Sequence, residues 1–265
     1  MRSELIVLRV LRRERLSPGF VRVTLGGDDI ERFVPLGFDQ WFRLFIPVAG
    51  GTLERLPGKL DMLAYARYLT IAKATRPVLR NYSVRAWRPE GPDGPELDVD
   101  FVLHEDADGH SGPAATWAQT CRRGDVVAII DEGIAFTPAE GVAELRLVAD
   151  ETGLPAVGGI LASLVETAPE AAGVAVVEVP HPADRLDLVA PAGVRVEWVV
   201  RGAGQAVPGA AALTAALELV APRDRAYGWA VGESALPIGM RRHWIAQGLA
   251  KNDILFCGYW KSARR

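Results

Sequence analysis

Arg80-Asn81-Tyr82-Ser83-Val84-Arg85 sets a fixed cation, a planar ring and a hydroxyl within four residues of one extended run. Further along, Gly112-Pro113-Ala114-Ala115-Thr116-Trp117-Ala118 places glycine and proline ahead of good helix formers. Proline suits the first turn of a helix, where its missing N–H has no partner to lose. A helix start presents unpaired amides and the positive end of the dipole, which together hold an anion. Cation, flat surface, hydroxyl and anion cradle are what a flat redox ring carrying a diphosphate needs. Each also has an ordinary reading: an edge strand with solvated arginines, and a connecting helix that plugs a barrel. A third stretch, Asp150-Glu151-Thr152-Gly153, taken alone is a common acidic helix start.

These residues need elements to position them. In the first half, "LIVLRVLRRERL", "FVRVTLGG", "DQWFRLFIPV", "RNYSVRAW", "ELDVDFVLH" and "DVVAIIDE" alternate apolar with polar residues between Gly, Pro and Asp turns. Six such strands predict an antiparallel β-barrel. One short helix interrupts it, opening at Gly112-Pro113 and ending at Gly124. On a strand, residues 80 and 82 share a face and residue 83 takes the other unless a bulge turns it.

After "FTPAEGVAE" the pattern changes. "ELRLVAD", "GVAVVEVP", "VRVEWVV", "AYGWAVGE" and "DILFCGYW" read as strands, separated by the helical stretches "GLPAVGGILASLVE", "GAAALTAALELV" and "LPIGMRRHWIAQGL". Alternation of this kind predicts an α/β domain with a five-stranded parallel sheet of nucleotide-binding type. The expected domains are residues 1–140 and 141–265.

The 265 residues are 49% hydrophobic and 24% charged, as in a folded globular protein, and the net charge of −3 argues against a general nucleic-acid binder. Cys121 and Cys257 stand far apart, and neither they nor His104, His110, His181 and His243 have metal-ligand spacing. No bound metal is expected, and unpaired cysteines fit a reducing cytoplasm. The amino-terminal run lacks the uninterrupted apolar stretch of a signal peptide. No segment approaches the about 20 apolar residues that span a bilayer. The sequence reads as a soluble, cytoplasmic protein with no membrane insertion, and nothing in it requires more than a monomer.

In chain order, "RNYSVR", "ELDVDFVLH", "GPAATWA", "ADETGLPAV", "WAVGES" and the terminal "GYWK" resemble the siderophore-interacting proteins, ferric-siderophore reductases of the ferredoxin–NADP+ reductase superfamily. The resemblance runs over nearly the whole chain. It implies an FAD-binding barrel followed by an NAD(P)H-binding domain, with electrons passing from NAD(P)H through FAD to Fe(III) in a bound chelate, which then releases Fe(II). Arg80, Tyr82 and Ser83 match the family's R-x-Y-[ST]. They would respectively hold the diphosphate, flank the isoalloxazine and hydrogen-bond near its N5. Asp100, Val102 and His104 fall on the strand beside the ribityl and adenine side. Gly112, Ala114, Ala115 and Thr116 match the phosphate-binding helix, with Trp117 behind it. Asp150, Glu151 and Thr152 match "DET-x-LPA", and Gly232 and Glu233 match the "GE" where nicotinamide should approach. Trp260 closes "GYW", where the superfamily often has an aromatic beside the flavin. Tyr82, Ser83 and Trp260 are the candidate catalytic residues.

Ferric siderophores are commonly anionic, so cations should line the open face of the flavin. Lys73, Arg76, Lys261 and Arg264 are the candidates for binding this small-molecule substrate; each reads equally well as a solvated charge. Coenzyme choice stays open. Glu178 near the second parallel strand's end would favour NADH through the ribose 2′-OH, and Arg185 or Arg201 would favour NADPH. The alternatives are a related flavin oxidoreductase with another electron acceptor, and a non-catalytic siderophore-binding protein.

Overall fold

Period-two alternation carries the first unit, Met1–Ile134, into an antiparallel sheet of seven strands. They are β1 (Leu5–Ser17), β2 (Phe20–Gly26), β3 (Trp41–Ile46), β4 (Val78–Ser83), β5 (Ala86–Gly91), β6 (Gly94–Val102) and β7 (Val126–Gly133), hydrogen-bonded in the order β4-β3-β7-β1-β2-β6-β5. The structure, a computed structural model, describes residues 5–48, 53, 56, 62–104, 111–202, 207–222 and 225–262. The unit's main core gathers Leu8, Val10, Val23, Leu25, Phe42, Leu44, Leu97, Val99, Phe101, Val127 and Ile129.

The sequence expectation of six strands takes "RNYSVRAW" as one. The structure breaks it at Val84-Arg85, where the backbone changes partner. Val84 N–H donates to Gln40 O at 2.8 Å, and Arg85 N–H donates to Asp98 O at 2.9 Å. The run therefore becomes β4 on β3 and β5 on β6. These two strands are the edges of the sheet, joined by that corner and not by a ladder. The barrel is a curled sheet left open between its edges.

Among the described residues two α-helices serve this unit, α1 (Met62–Thr70) and α2 (Pro113–Thr120). The expected end of α2 at Gly124 corrects to Thr120, after which Arg122–Asp125 turn through Gly124 at φ +91°. Ala114 and Ala118 of α2 enter the main core, and the helix lies against β2, β4 and β6. Helix α1 has no counterpart in the sequence reading. It exposes Leu63, Tyr65 and Leu69 and buries Tyr68 against Phe45, Ala128 and Ile130, so its described side chains do not form the inward apolar stripe that marks a surface helix.

The second unit, Ala135–Arg265, holds β8 (Glu144–Ala149), β9 (Ala172–Val179), β10 (Gly193–Val200), β11 (Ala226–Glu233) and β12 (Ile254–Trp260), with α3 (Leu154–Thr167), α4 (Ala210–Leu217) and α5 (Ala235–Ala246). All strand pairs are parallel, in the order β10-β9-β8-β11-β12. Val148, Val174, Val176 and Ala230 pack under Ala212 and Ala216 of α4 and Leu236, Met240 and Trp244 of α5. The chain direction across the sheet reverses between β8 and β11, which makes a crevice beyond their carboxyl ends. Among the described residues no helix is long and apolar enough to cross a membrane.

Candidate functional site

Cross-strand pairing decides which face each residue of the arginine–tyrosine–serine motif takes. Tyr82 stands opposite Phe42 and Arg80 opposite Leu44, so both lie on the side that carries the main core. The Tyr82 ring packs on Phe101 with centroids 4.3 Å apart, and Phe101 packs on Trp117 of α2 at 5.6 Å. Burial raises the Tyr82 phenol well above its ordinary pKa, against a smaller opposing pull from Arg80. Tyr82 is thus a neutral flat surface at physiological pH. Arg80 beyond it is exposed, with Nη1 donating to its neighbour's carbonyl, Leu79 O, at 2.7 Å. Ser83, opposite Trp41, is buried on the other face by alternation, immediately before the corner.

Helix α2 starts without a side-chain cap. Pro113 has no amide, and Thr116 N–H is already paired to Gly112 O at 2.9 Å. The amides of Ala114 and Ala115 have no acceptor among the described residues. Gly112 has an ordinary φ of −60°, and a Cβ built on it would meet nothing within 4 Å. Neither conformation nor packing demands glycine there. Among the described residues this leaves room before two donors without acceptors, which fits the close approach of a diphosphate. The Thr116 hydroxyl, at the same end, donates to Ser111 O at 3.3 Å.

Asp100 and Val102 go elsewhere. They alternate with Phe101 and so take the opposite face of β6, where Glu96, Asp98 and Asp100 form a row of buried carboxylates. Arg22 grips Asp100 through two hydrogen bonds of 2.7 and 2.8 Å, and Arg85 adds a contact at 3.6 Å. Arg12 binds both oxygens of Glu96 at 2.6 and 2.7 Å, Arg88 bridges Glu96 and Asp98, and Thr24 Oγ1 donates to Asp98 at 2.7 Å. The carboxylate of Asp100 is thereby occupied by protein cations, and Arg85, which the sequence reading leaves without a role, is one of them. A row of acids at period two on β6, facing arginines on β1, β2 and β5, is the signal that would have found this network. His104 is exposed just past β6; residues 105–110 of the loop that follows lie outside the described residues.

In the second unit the acidic dipeptide ties the sheet's carboxyl edge together. Asp150 Oδ1 accepts from the Thr152 amide at 2.8 Å and from its hydroxyl, while Oδ2 accepts from Glu233 N–H at 2.6 Å and Trp260 Nε1–H at 3.3 Å. Glu151 pairs with Arg201, whose Nε donates to Glu178 Oε1 at 2.6 Å. Glu178 is fully buried and accepts the Gly209 and Ala212 amides at 2.9 Å, capping α4. Glu178 and Arg201, weighed in the sequence as opposing coenzyme selectors, are therefore spent on each other. Gly232 sits at φ +134°, and a Cβ on it would come within 2.6 Å of the Asp150 carboxyl, so glycine is required at this position.

Burial, together with the neighbouring Asp150 charge, lifts the Glu151 carboxyl to about 7 against the opposing pull of Arg201. The folded state then binds more protons than the unfolded chain between about 4.5 and about 7, so stability falls as pH rises through that window. Denaturant unfolding at a series of pH values is expected to show this slope, and Glu151→Gln to flatten it. An unchanged slope in the variant would assign it to other groups.

Of the candidate substrate cations, Lys73 and Lys261 are exposed. Arg76 is turned back onto its own segment, donating to Ile71 O at 3.0 and 2.8 Å and to Leu69 O, and so closes the end of α1. Its Nε and Nη2 donors thus serve backbone carbonyls. Arg264 lies outside the described residues.

Two family models match in chain order: a siderophore-interacting FAD-binding domain over residues 9–135 and a siderophore-interacting protein over residues 142–263. An uncharacterized protein of Mycobacterium tuberculosis is 34% identical over 194 residues, covering 73% of this chain; the match spans 64% of that relative's length. An NADPH-dependent ferric-chelate reductase of Escherichia coli is 27% identical over 96% of this chain and 91% of its own. Among solved structures, a siderophore utilization protein from T. fusca superposes with a TM-score of 0.79 at 28% identity, covering 100% of this chain and 95% of that one.

Proposed function

The chain belongs to the siderophore-interacting protein family, and from that premise we propose that it is a flavin-dependent reductase of ferric siderophores, drawing electrons from NAD(P)H through FAD and releasing iron as Fe(II). The observation that carries this reading is the first unit's combination of an exposed Arg80, a neutral Tyr82 ring and a helix start whose Ala114 and Ala115 amides have no acceptor among the described residues, beside a Gly112 that neither conformation nor packing demands. When bound, FAD supplies a ring that takes electrons in pairs from a reduced nicotinamide and passes them singly to iron. The protein's part is to bind, orient and keep the partners in order. Arg80 and the Ala114 and Ala115 amides hold the diphosphate, with Gly112 leaving room for it. Tyr82, fixed by Phe101, gives the ring system a rigid wall. Ser83 is the hydrogen-bonding candidate near N5, and reaching it depends on the corner at Val84-Arg85. Trp260 is the aromatic proposed to act in the flavin reaction.

Arg185 supports NADPH as donor. It is exposed at the end of the 3-10 turn Pro182–Asp184 that follows β9, the position from which a cation reaches a 2′-phosphate. The Escherichia coli relative is named for the same donor. Lys73 and Lys261 remain the cations proposed to receive an anionic ferric chelate. A cytoplasmic setting is supported by two cysteines, Cys121 and Cys257, that are not joined in a disulfide.

Anaerobic mixing of the purified yellow protein with NADPH or NADH tests the reading, followed by ferric siderophores, quinones and ferredoxin as oxidants. Flavin bleaching by NADPH and re-oxidation by ferric siderophores with Fe(II) trapped by a chelator is the expected result. Re-oxidation by quinone or ferredoxin alone would assign the protein to another acceptor. A colourless protein that takes up no FAD would leave only siderophore binding.

A further inference from the structure

The last described residues carry ties of their own. Beyond the Trp260 indole bond to Asp150, the Trp260 carbonyl accepts from the Ser234 amide at 3.0 Å and its hydroxyl at 2.7 Å. The Ser262 amide and hydroxyl both donate to Glu233 Oε1 at 3.1 Å. Glu233 Oε2 accepts from the Ala235 amide at 2.7 Å, at the start of α5. Both carboxylates are buried, Asp150 at 0% and Glu233 at 4% exposure. Every oxygen of the pair faces a protein donor: four donors fill the acceptor sites of Asp150, and three on Glu233 leave one lone pair, on Oε2, in a residue that is 4% exposed.

The segment needs such ties. It leaves β12, an edge strand paired on one side only, to β11, with Phe256, Cys257, Gly258 and Tyr259 all exposed. An edge strand with so little burial frays at its end unless something holds it.

We infer that Asp150 and Glu233 are positioning residues that fasten the segment Trp260–Lys261–Ser262 to the carboxyl edge of the parallel sheet, and that neither carboxylate contacts the coenzyme. Asp150 holds the indole at one end, and Glu233 holds Ser262 at the other. Lys261, between them, is thereby carried at a fixed place while its own side chain stays exposed. The "DET", "GES" and "GYW" motifs, far apart in sequence, become one hydrogen-bonded unit. What Trp260 and Lys261 then do rests on the proposed reductase reading; the fastening itself does not.

Glu233→Gln and Trp260→Phe in the full chain test it. Glutamine offers one acceptor oxygen where glutamate offers two, so it cannot serve both the Ala235 and the Ser262 donors. Hydrogen exchange in the peptide after β12 is expected to speed up about tenfold in Glu233→Gln, and to speed up as well in Trp260→Phe, which leaves Glu233 intact. In turnover, kcat is expected to fall while the coenzyme KM stays within about twofold. Unchanged exchange with a raised coenzyme KM would overturn the inference and return Glu233 to coenzyme binding. Unchanged exchange in both variants would overturn it whatever the kinetics. If the protein proves not to be a reductase, exchange still decides the point, because it reads the segment without turnover.

Discussion

Arg80→Ala is expected to purify pale and to bind FAD about 10- to 100-fold more weakly, the loss that follows when a hydrogen-bonded cation is removed from a diphosphate. Its fold should be indifferent to the change. Arg80 is exposed and touches the protein through the Leu79 carbonyl alone among its described contacts, so the thermal midpoint should stay within a few degrees of the parent's. Arg80→Lys separates charge from geometry: it keeps the cation and loses the planar fork, and should fall between the two. Fluorescence titration with FAD, beside a melting curve, reads both quantities. An Arg80→Ala protein with parental FAD affinity would remove the diphosphate role.

Arg88→Leu is expected to act in the opposite way, leaving the cofactor site intact and destabilising the first unit by about 2 to 3 kcal/mol. Arg88 makes four hydrogen bonds of 2.7 to 3.0 Å that bridge Glu96 and Asp98. Both carboxylates are nearly inaccessible, so removing the guanidinium leaves them short of partners in a place water reaches poorly. The cost stays below that of orphaning a wholly buried pair because Arg88 is itself 36% exposed and Arg12 and Thr24 remain. The acid limb should move as well. The hydrogen bond from Arg12, with help from Arg88 and against the cost of burial, holds the Glu96 carboxyl down at about 2. Its folded pKa is below the unfolded value of 4.5, so its contribution is full above about 4.5 and disappears as pH falls toward about 2. Arg88→Leu weakens the depression, and acid unfolding should begin at a higher pH. Chemical denaturation across pH 2 to 7 measures both effects, roughly spanning that window. Parental stability in this variant would reduce the network to a surface ornament.

The two substitutions sort charges that look alike in the sequence. Arg80, Arg85 and Arg88 lie within nine residues on what reads as one strand and its continuation. Alternation says that 80 and 82 share a face, and it is right because strand geometry is local. It cannot say that the chain changes partner at Val84-Arg85, because that depends on the Gln40 and Asp98 carbonyls waiting on two different strands. The same limit explains Asp100. Its motif position suggests a ligand contact, whereas its neighbours across the sheet, Arg22 and Arg85, had already claimed its oxygens. Helix α1 escaped notice because the stripe that announces a helix is turned outward, with Tyr68 alone among its described side chains reaching the core.

What the sequence determined by itself was the division into an antiparallel β unit and a parallel α/β unit, the starts of α2 and α3, and the family, because periodicity, proline and glycine placement and short motifs are properties of neighbours along the chain. What only the tertiary structure decided was the destination of each charge. Asp150 and Glu233, which the sequence matches to motifs of the coenzyme domain, are buried acceptors, Glu178 and Arg201 pair with each other, and Arg76 closes the end of a helix. The physical reason is common to all of them. A charged side chain in a partly buried place is governed by which donors and acceptors the fold brings within about 3 Å of it, and apart from those of Arg76, which lie on its own segment, these partners include groups on strands and helices remote in sequence, Asp150 from Trp260 above all.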